Sequence, residues 1–410
     1  MARPARRARR QAPGVGLLLV AALGACAKEE SPPGGPPDTA APTILSVRPE
    51  SGSVVANWND AVVIRFDEVI DEMASGGGSS SRGGGLARQV ILSPVAGEVR
   101  VAWRRSAITV EPREGWKRGR VYRLEVLPGI VDLRRNRLDT RRTVIFSTGP
   151  AIPNATLAGT ALHWTDQRPL RAALIQAALL PDTAPYVTVA DSAGDFTLAG
   201  IPPGQYVVYA VQDQNTNRRR DAREAYDSTV VHVEAAAEAV LWAFVHDTAG
   251  PRLRAAEPLD SVTFRLEFSQ HLDPAARVDT AHVRVFTQTD TTPVRVAAVL
   301  RPAEYDSIRA SAVAAARDTA QRRAPPVVGA PAGRAEREPD TSRARQLLSR
   351  RPAPFDRLVV RTAEPLKPEG RYLIRVTGVR NLNGAVGEGQ QVLEIPKAPA
   401  PRPPPSRPPP

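Results

Sequence analysis

Val62-Val63-Ile64-Arg65-Phe66-Asp67-Glu68-Val69-Ile70-Asp71 decides the fold, because its pattern returns as Phe264-Arg265-Leu266-Glu267-Phe268-Ser269-Gln270-His271-Leu272-Asp273. Val62, Ile64 and Phe66 alternate with Val63 and Arg65, and Phe264, Leu266 and Phe268 alternate with Arg265 and Glu267. A period of two belongs to a strand with one face buried. A second match pairs Gly119-Arg120-Val121-Tyr122-Arg123-Leu124-Glu125-Val126 with Gly370-Arg371-Tyr372-Leu373-Ile374-Arg375-Val376, each followed by a Gly and an Asn-bearing turn. Two copies of one β-domain account for both matches. At 410 residues the chain has room for two or three domains, and 40 prolines with 5% aromatics fit many turns and short strands.

The second copy is longer because residues 302–352, rich in Ala, Arg and Pro, interrupt it. This insertion is expected to be disordered, with a short Ala/Arg helix possible from Asp306 to Arg323 and no apolar period to pack. The first copy carries its own low-complexity tract, Gly76 to Gly85. Between the copies, residues 152–235 read differently. Val187-Thr188-Val189-Ala190, Asp195-Phe196-Thr197-Leu198 and Gln205-Tyr206-Val207-Val208-Tyr209-Ala210 are short strands joined by Gly/Pro turns.

The N-terminus has an export pattern. Arg3, Arg6, Arg7, Arg9 and Arg10 precede an apolar stretch from Val15 to Ala25, too short for the roughly 20 residues of a spanning helix. It ends Leu23-Gly24-Ala25-Cys26, which resembles the bacterial lipobox; the resemblance implies cleavage after residue 25 and lipid on Cys26. Cys26 is the only cysteine, so an intrachain disulfide is excluded. Ala27, not Asp, follows it, which by the sorting rule of enteric bacteria implies the outer membrane. Residues 26–41 form a Pro/Gly-rich tether and 397–410 a Pro-rich tail, expected to be extended and disordered.

The net charge of +12 invites a nucleic-acid partner. Its placement argues against one. Five arginines lie in residues 1–25, ten arginines against six acids in 302–352, and Lys397, Arg402 and Arg407 in the tail. Those segments account for the whole excess, leaving the presumed folded part without a basic footprint.

Several blocks together resemble the bacterial Ig-like domain of surface-layer proteins: Pro42-Thr43-Ile44-Leu45-Ser46-Val47-Arg48-Pro49, Phe66-Asp67-Glu68-Val69-Ile70-Asp71, Leu92-Ser93-Pro94, Ile108-Thr109-Val110-Glu111-Pro112, Tyr122-Arg123-Leu124-Glu125-Val126, Gly129-Ile130-Val131-Asp132 with Asn136, and Phe146-Ser147-Thr148. The resemblance covers residues 42–149 and, more divergently, 236–396, where the Asp-containing turn reads Asn381-Leu382-Asn383-Gly384. It implies a β-sandwich with a structural or adhesive role and brings no catalytic residues. Gly194-Asp195-Phe196-Thr197-Leu198 followed by Ile201-Pro202-Pro203-Gly204-Gln205-Tyr206 is similar to transthyretin-like domains of the carboxypeptidase-regulatory type. The expected class is all-β, with tandem Ig-like sandwiches flanking that middle block.

Asp213, Asn215, Asn217, Asp221 and Glu224 fall at positions 1, 3, 5, 9 and 12 of an EF-hand-like loop, a spacing of oxygen ligands that suits calcium. Arg218 stands where such a loop wants glycine, and the flanks read as strands. The competing account is a polar hairpin loop whose Asn and Asp side chains bond their own backbone. Asp67, Glu68, Asp71 and Glu72 form an acidic cluster that reads as a solvated turn, since the second copy has Ser269 and Gln270 there. His163, His232, His246, His271 and His282 show no metal spacing, and no nucleophile elbow, zinc-protease or phosphate-loop motif is present. Trp58, Trp103, Trp116, Trp164 and Trp242 fit core packing, with a sugar-binding face as the alternative. The sequence thus predicts a lipid-anchored, non-catalytic envelope protein, facing periplasm or surface, that engages the membrane through its N-terminus and an envelope protein or glycan, with no nucleic acid; the alternative is a polysaccharide- or peptidoglycan-binding lipoprotein.

Overall fold

The structure, a computed structural model, describes residues 38–73, 85–320 and 341–397, with side chains of 315–320 left aside. The signal and lipobox residues through Cys26, most of the tether, most of the Gly76 to Gly85 tract, residues 321–340 and the tail from 398 lie outside the described residues. The described chain is all-β apart from two helices and a short 3-10 turn.

The N-terminal sandwich contains β1 (Ile44–Arg48), β2 (Val62–Phe66), β3 (Val90–Ser93), β4 (Val99–Arg104), β5 (Ala107–Pro112), β6 (Val121–Val126) and β7 (Arg142–Ser147). One sheet has the order β1-β2-β5-β4 and the other β3-β6-β7. The alternation read from the sequence puts Val62, Ile64 and Phe66 inward, against Leu92, Leu124, Val144 and Phe146 of the facing sheet.

The middle unit contains β8 (Ala155–His163), β9 (Arg168–Pro169), β10 (Leu174–Leu179), β11 (Pro185–Val189), β12 (Asp195–Ile201), β13 (Gly204–Val211), β14 (Ala225–Val233) and β15 (Ala236–Val245). Its strand order is β11-β10-β13-β14-β15-β8-β12, with β9 beside β8. The sheet is nearly split, since β14 and β15 pair only at Ala225 with Val245 and Tyr226 with Phe244. The expected boundary after residue 235 is therefore corrected: β15 runs parallel to β8 across Ala236–Ala243 and closes the middle unit. A parallel pairing of last strand with first leaves no local mark in the sequence.

The C-terminal sandwich contains β16 (Leu253–Pro258), β17 (Thr263–Leu272), β18 (Val283–Thr287), β19 (Pro293–Val294), β20 (Val296–Leu300), α1 (Pro302–Ala320), α2 (Ser342–Arg350), β21 (Phe355–Thr362), β22 (Arg371–Arg380) and β23 (Val386–Glu394). Its sheets, β16-β17-β21-β20 and β19-β18-β22-β23, repeat the order of the first sandwich with β19 added. The repeat extends to single bonds. Lys117 N–H donates to the Tyr122 phenol at 2.8 Å, and Lys367 N–H donates to the Tyr372 phenol at 2.8 Å. This tyrosine corner fixes the turn before the strand in both copies. It also shifts the sequence match by one residue: left-handed Gly119 (φ 70°) corresponds to left-handed Glu369 (φ 59°), not to Gly370.

The insertion lies between β20 and β21, where the first sandwich has only the turn Arg105-Ser106 joining β4 to β5. The Ala/Arg helix expected from Asp306 to Arg323 is present as α1 over 302–320, and the expectation of disorder is corrected for 342–350, which is helical too. α2 finds its apolar partner outside its own domain. Among the described residues no helix is long and apolar enough to cross a membrane.

Candidate functional site: two domain junctions

The loop from Asp213 to Glu224 joins β13 to β14, and hydrogen bonds link its five candidate calcium ligands, although the carboxylates of Asp213, Asp221 and Glu224 do not gather within 4.8 Å of one another. Their oxygens are already engaged. Asp213 accepts the N–H groups of Asn217 at 3.0 Å and Arg218 at 2.8 Å, and Asn217 Oδ1 accepts Arg219 N–H at 2.7 Å. Asp221 Oδ2 accepts both side-chain amides, from Asn215 at 2.7 Å and Asn217 at 3.0 Å. Glu224, buried, accepts Gln214 N–H at 3.0 Å and Asp221 N–H at 3.1 Å. Asn215 Oδ1 accepts Asn217 N–H at 2.9 Å. Such local Asx bonding is how these side chains hold a turn.

What the loop holds is Arg218. Its backbone is left-handed (φ 58°), a conformation costly for a non-glycine residue, which the Asp213 bond to its N–H helps to fix. The guanidinium crosses into the N-terminal sandwich, donating to Val90 O at 2.6 Å and Arg88 O at 2.8 Å. Burial pulls its pKa down to about 10, opposed by the charges of Asp213 and Glu125. It is still a cation at neutral pH. The residue that spoils the calcium pattern is thus the one that locks two domains.

Around it, the same junction buries charge. Glu125 has 0% exposure and takes Arg123 Nε at 2.8 Å and the Thr188 hydroxyl of the middle unit at 2.9 Å. Arg123 donates onward to Ala199 O at 3.0 Å and Thr197 O at 3.3 Å on the edge strand β12. Tyr186 Oη donates to Val121 O at 3.2 Å, Val187 N–H to Ser93 Oγ at 3.1 Å and Arg141 to Val189 O at 2.9 Å. Arg120 pairs with Asp182, whose carboxyl is held low mainly by the Ala184 N–H and also by Arg120. The Arg123–Glu125 pair lies within the N-terminal sandwich and has its further partners across the junction, which helps an ion pair to be buried, whereas Arg120 Nη1 is buried here without a hydrogen-bond partner.

The second junction is built by α2. Ala344 and Leu348 pack on Leu162, with Val240, Trp242 and Leu347 around them. Arg343 pairs with Glu238, and Trp164 Nε1 donates to Pro352 O at 3.1 Å. The Arg351 guanidinium lies 3.4 Å from the Trp164 ring centre and 5.3 Å from that of Trp242. It also sits in the fields of Asp227 on the middle unit and Asp273 on the C-terminal sandwich.

The acidic cluster lies outside the strands, with Asp67 and Glu72 exposed as a solvated turn implies, and two of its carboxylates also have defined partners. Asp67 pins the first strand by accepting Thr43 N–H at 2.8 Å and its hydroxyl at 2.5 Å, which lowers its pKa. Glu68 meets Asp38 and Asp132, their oxygens within 4.8 Å of one another, the one such acidic group among the described residues. Burial raises the Glu68 pKa, and the charges of Asp132, Asp38 and Asp67 add to it. The second copy builds the same seam from amides: Gln270 donates to Asp247 at 2.6 Å and Asn381 to Gln270 Oε1 at 3.0 Å. Four of the five tryptophans are engaged in packing, with Trp164 and Trp242 at the second junction: Trp116 stands edge-on to Tyr122 at 4.9 Å, and Trp58 borders the same core, whereas Trp103 is 37% exposed. Trp103 donates to Ile70 O at 3.1 Å.

The sequence profile of the bacterial Ig-like domain family matches residues 38–148, so the N-terminal sandwich is a bacterial Ig-like domain. No curated protein matches the chain significantly. Among solved structures, the N-terminal part of the bacterial S-layer protein SbsC is similar at 10% identity over 36% of this chain and 24% of that one, with a TM-score of 0.20. The Bacillus cereus major pilin subunit BcpA is similar at 10% identity over 50% and 71% of the two chains (TM-score 0.17), and the Bacillus anthracis TIE protein at 9% over 89% and 57% (TM-score 0.18). The chain therefore spans about a quarter of the SbsC fragment.

Proposed function

We propose that this protein is a rigid, non-catalytic spacer of the bacterial envelope, anchored by lipid on Cys26 and holding three sandwich domains in fixed relative orientation. The observation that carries it is the first junction, where Arg218 bonds Val90 O and where Arg123 and Glu125, already paired with each other on β6, also bond Ala199 O and the Thr188 hydroxyl across the boundary. A linker meant to flex would not bury an ion pair. The middle unit acts as the transthyretin-like brace that its Gly194 to Tyr206 motif suggests. The bacterial Ig-like match supports a structural role, and the packing of four of the five tryptophans, leaving Trp103 alone exposed among them, counts against a sugar-binding face. The lipobox and Ala27 favour the outer membrane, with an envelope protein as partner.

The anchor is tested by fractionating cells that carry the wild type or Cys26→Ala and by protease treatment of intact cells. Membrane association lost in Cys26→Ala supports the proposal. Equal membrane retention of both overturns it.

A further inference from the structure

α2 is unlike the rest of the chain in what keeps it folded. At nine residues it is below the length at which an isolated helix holds in water. Thr341 gives it no side-chain cap, its first turn has no acid, and Arg343 and Arg345 lie at the positive end of its dipole. Its stability must come from docking, and its dock belongs to another domain: Leu162, Val240 and Trp242 on β8 and β15. The first Ig-like copy closes the same hairpin with Arg105-Ser106, so the C-terminal sandwich does not need the insertion to fold.

The helix end makes the contact specific. Arg351 is extended (φ −120°, ψ 130°) and donates its N–H to Leu348 O at 3.4 Å. This turn lays its guanidinium over Trp164 and leaves Pro352 O to accept the Trp164 indole N–H. Compared with the first junction, the seal is slight: two buried side chains of α2, one exposed ion pair, one stacked cation and one indole hydrogen bond, against a buried ion pair whose two members both bond across the boundary and at least three other crossing hydrogen bonds.

We infer that α2 with Arg351 is a releasable latch, a helix that folds only when seated on the β8 and β15 face of the middle unit and that sets the angle between that unit and the C-terminal sandwich. Release melts the helix, uncovers Leu162, Val240, Trp164 and Trp242, and frees the joint after β15, while the N-terminal junction stays closed. The latch rests on the spacer proposal in one respect: it assumes that the domains are otherwise held.

The test uses the full mature chain in a Cys26→Ala background, with spin labels on cysteines at the exposed positions Val230 and Val386, alongside hydrogen exchange of the 342–350 amides. Wild type should give one narrow distance and protected α2 amides. Arg351→Ala and Leu348→Asp should speed exchange of those amides about tenfold or more and broaden the distance. Replacing residues 302–353 by a short Gly/Ser linker should broaden it as well. Calorimetry checks that the sandwiches still unfold cooperatively, and the linker variant, patterned on the short hairpin of the first copy, remains informative if Leu348→Asp misfolds. Narrow distances in wild type and in the linker variant would overturn the latch alone. A broad wild-type distance would overturn the spacer proposal and the latch together.

Discussion

Arg218 donates to the Val90 carbonyl across 128 residues of sequence, at 2.6 Å, from a loop whose acidic and amide side chains are spent on holding it. Removing the guanidinium leaves Val90 O and Arg88 O without their donor and Asp213 without its counter-charge. Arg218→Ala should cost about 2–4 kcal/mol, from two charge-assisted bonds, read as a lower denaturation midpoint. Arg218→Lys should recover only part, because an ammonium cannot reproduce the fork. Equal stability of all three proteins would remove the keystone role.

The same loop predicts a null response to calcium. Millimolar calcium or a chelator should leave thermal unfolding unchanged, whereas Asp213→Ala should lower it by disturbing Arg218. A site with a Kd near 0.1 mM would add about 1.4 kcal/mol at 1 mM metal, a shift easily seen. Such a shift would restore Asp213, Asn215, Asn217, Asp221 and Glu224 as ligands.

The paired tyrosine corners should respond alike. Tyr122→Phe and Tyr372→Phe each strip an acceptor from a backbone N–H, at Lys117 and Lys367 respectively, and each should cost about 1–3 kcal/mol. Losing stability in one copy only would mean that the repeat is not equivalent in its energetics.

Glu68 gives a pH dependence with a definite sign. Its carboxyl is raised in the folded protein, so the folded state binds the proton more tightly than the unfolded one. Its contribution is fully present below the unfolded glutamate pKa and is lost as pH rises through the raised folded value. Glu68→Gln, which installs the residue type of Gln270, should therefore raise the neutral-pH melting temperature by about 1–3 °C and flatten this dependence. Asp67, lowered by Thr43, acts oppositely, its contribution present above the unfolded aspartate pKa and lost as pH falls through the lowered folded value. A melting temperature that drops in Glu68→Gln would contradict the like-charge account of the seam.

The alternation at Val62 to Phe66 and Phe264 to Phe268 was enough to place β2 and β17 and to reveal the repeat, because a half-buried strand writes its geometry locally. Three features were not legible, each for want of a distant partner. β15 takes its place only through parallel pairing with β8. The apolar stripe Ala344, Leu347 and Leu348 spans barely one turn and gains meaning only from Leu162 and Trp242 on another domain. Arg218 looked like a fault in a metal loop, since its two acceptors, Val90 and Arg88, lie in a different sandwich. Sequence spacing did pick out residues of one hydrogen-bonded loop, but not the carbonyls that Arg218 reaches from it.

The most direct measurement is the distance distribution between spin labels at Leu133 and Val230, both exposed, on the N-terminal and middle units of the Cys26→Ala chain. A rigid spacer gives one narrow distribution in the wild type and a broadened one in Arg218→Ala. A wild-type distribution as broad as that of two freely linked domains would contradict the rigid spacer at its strongest junction.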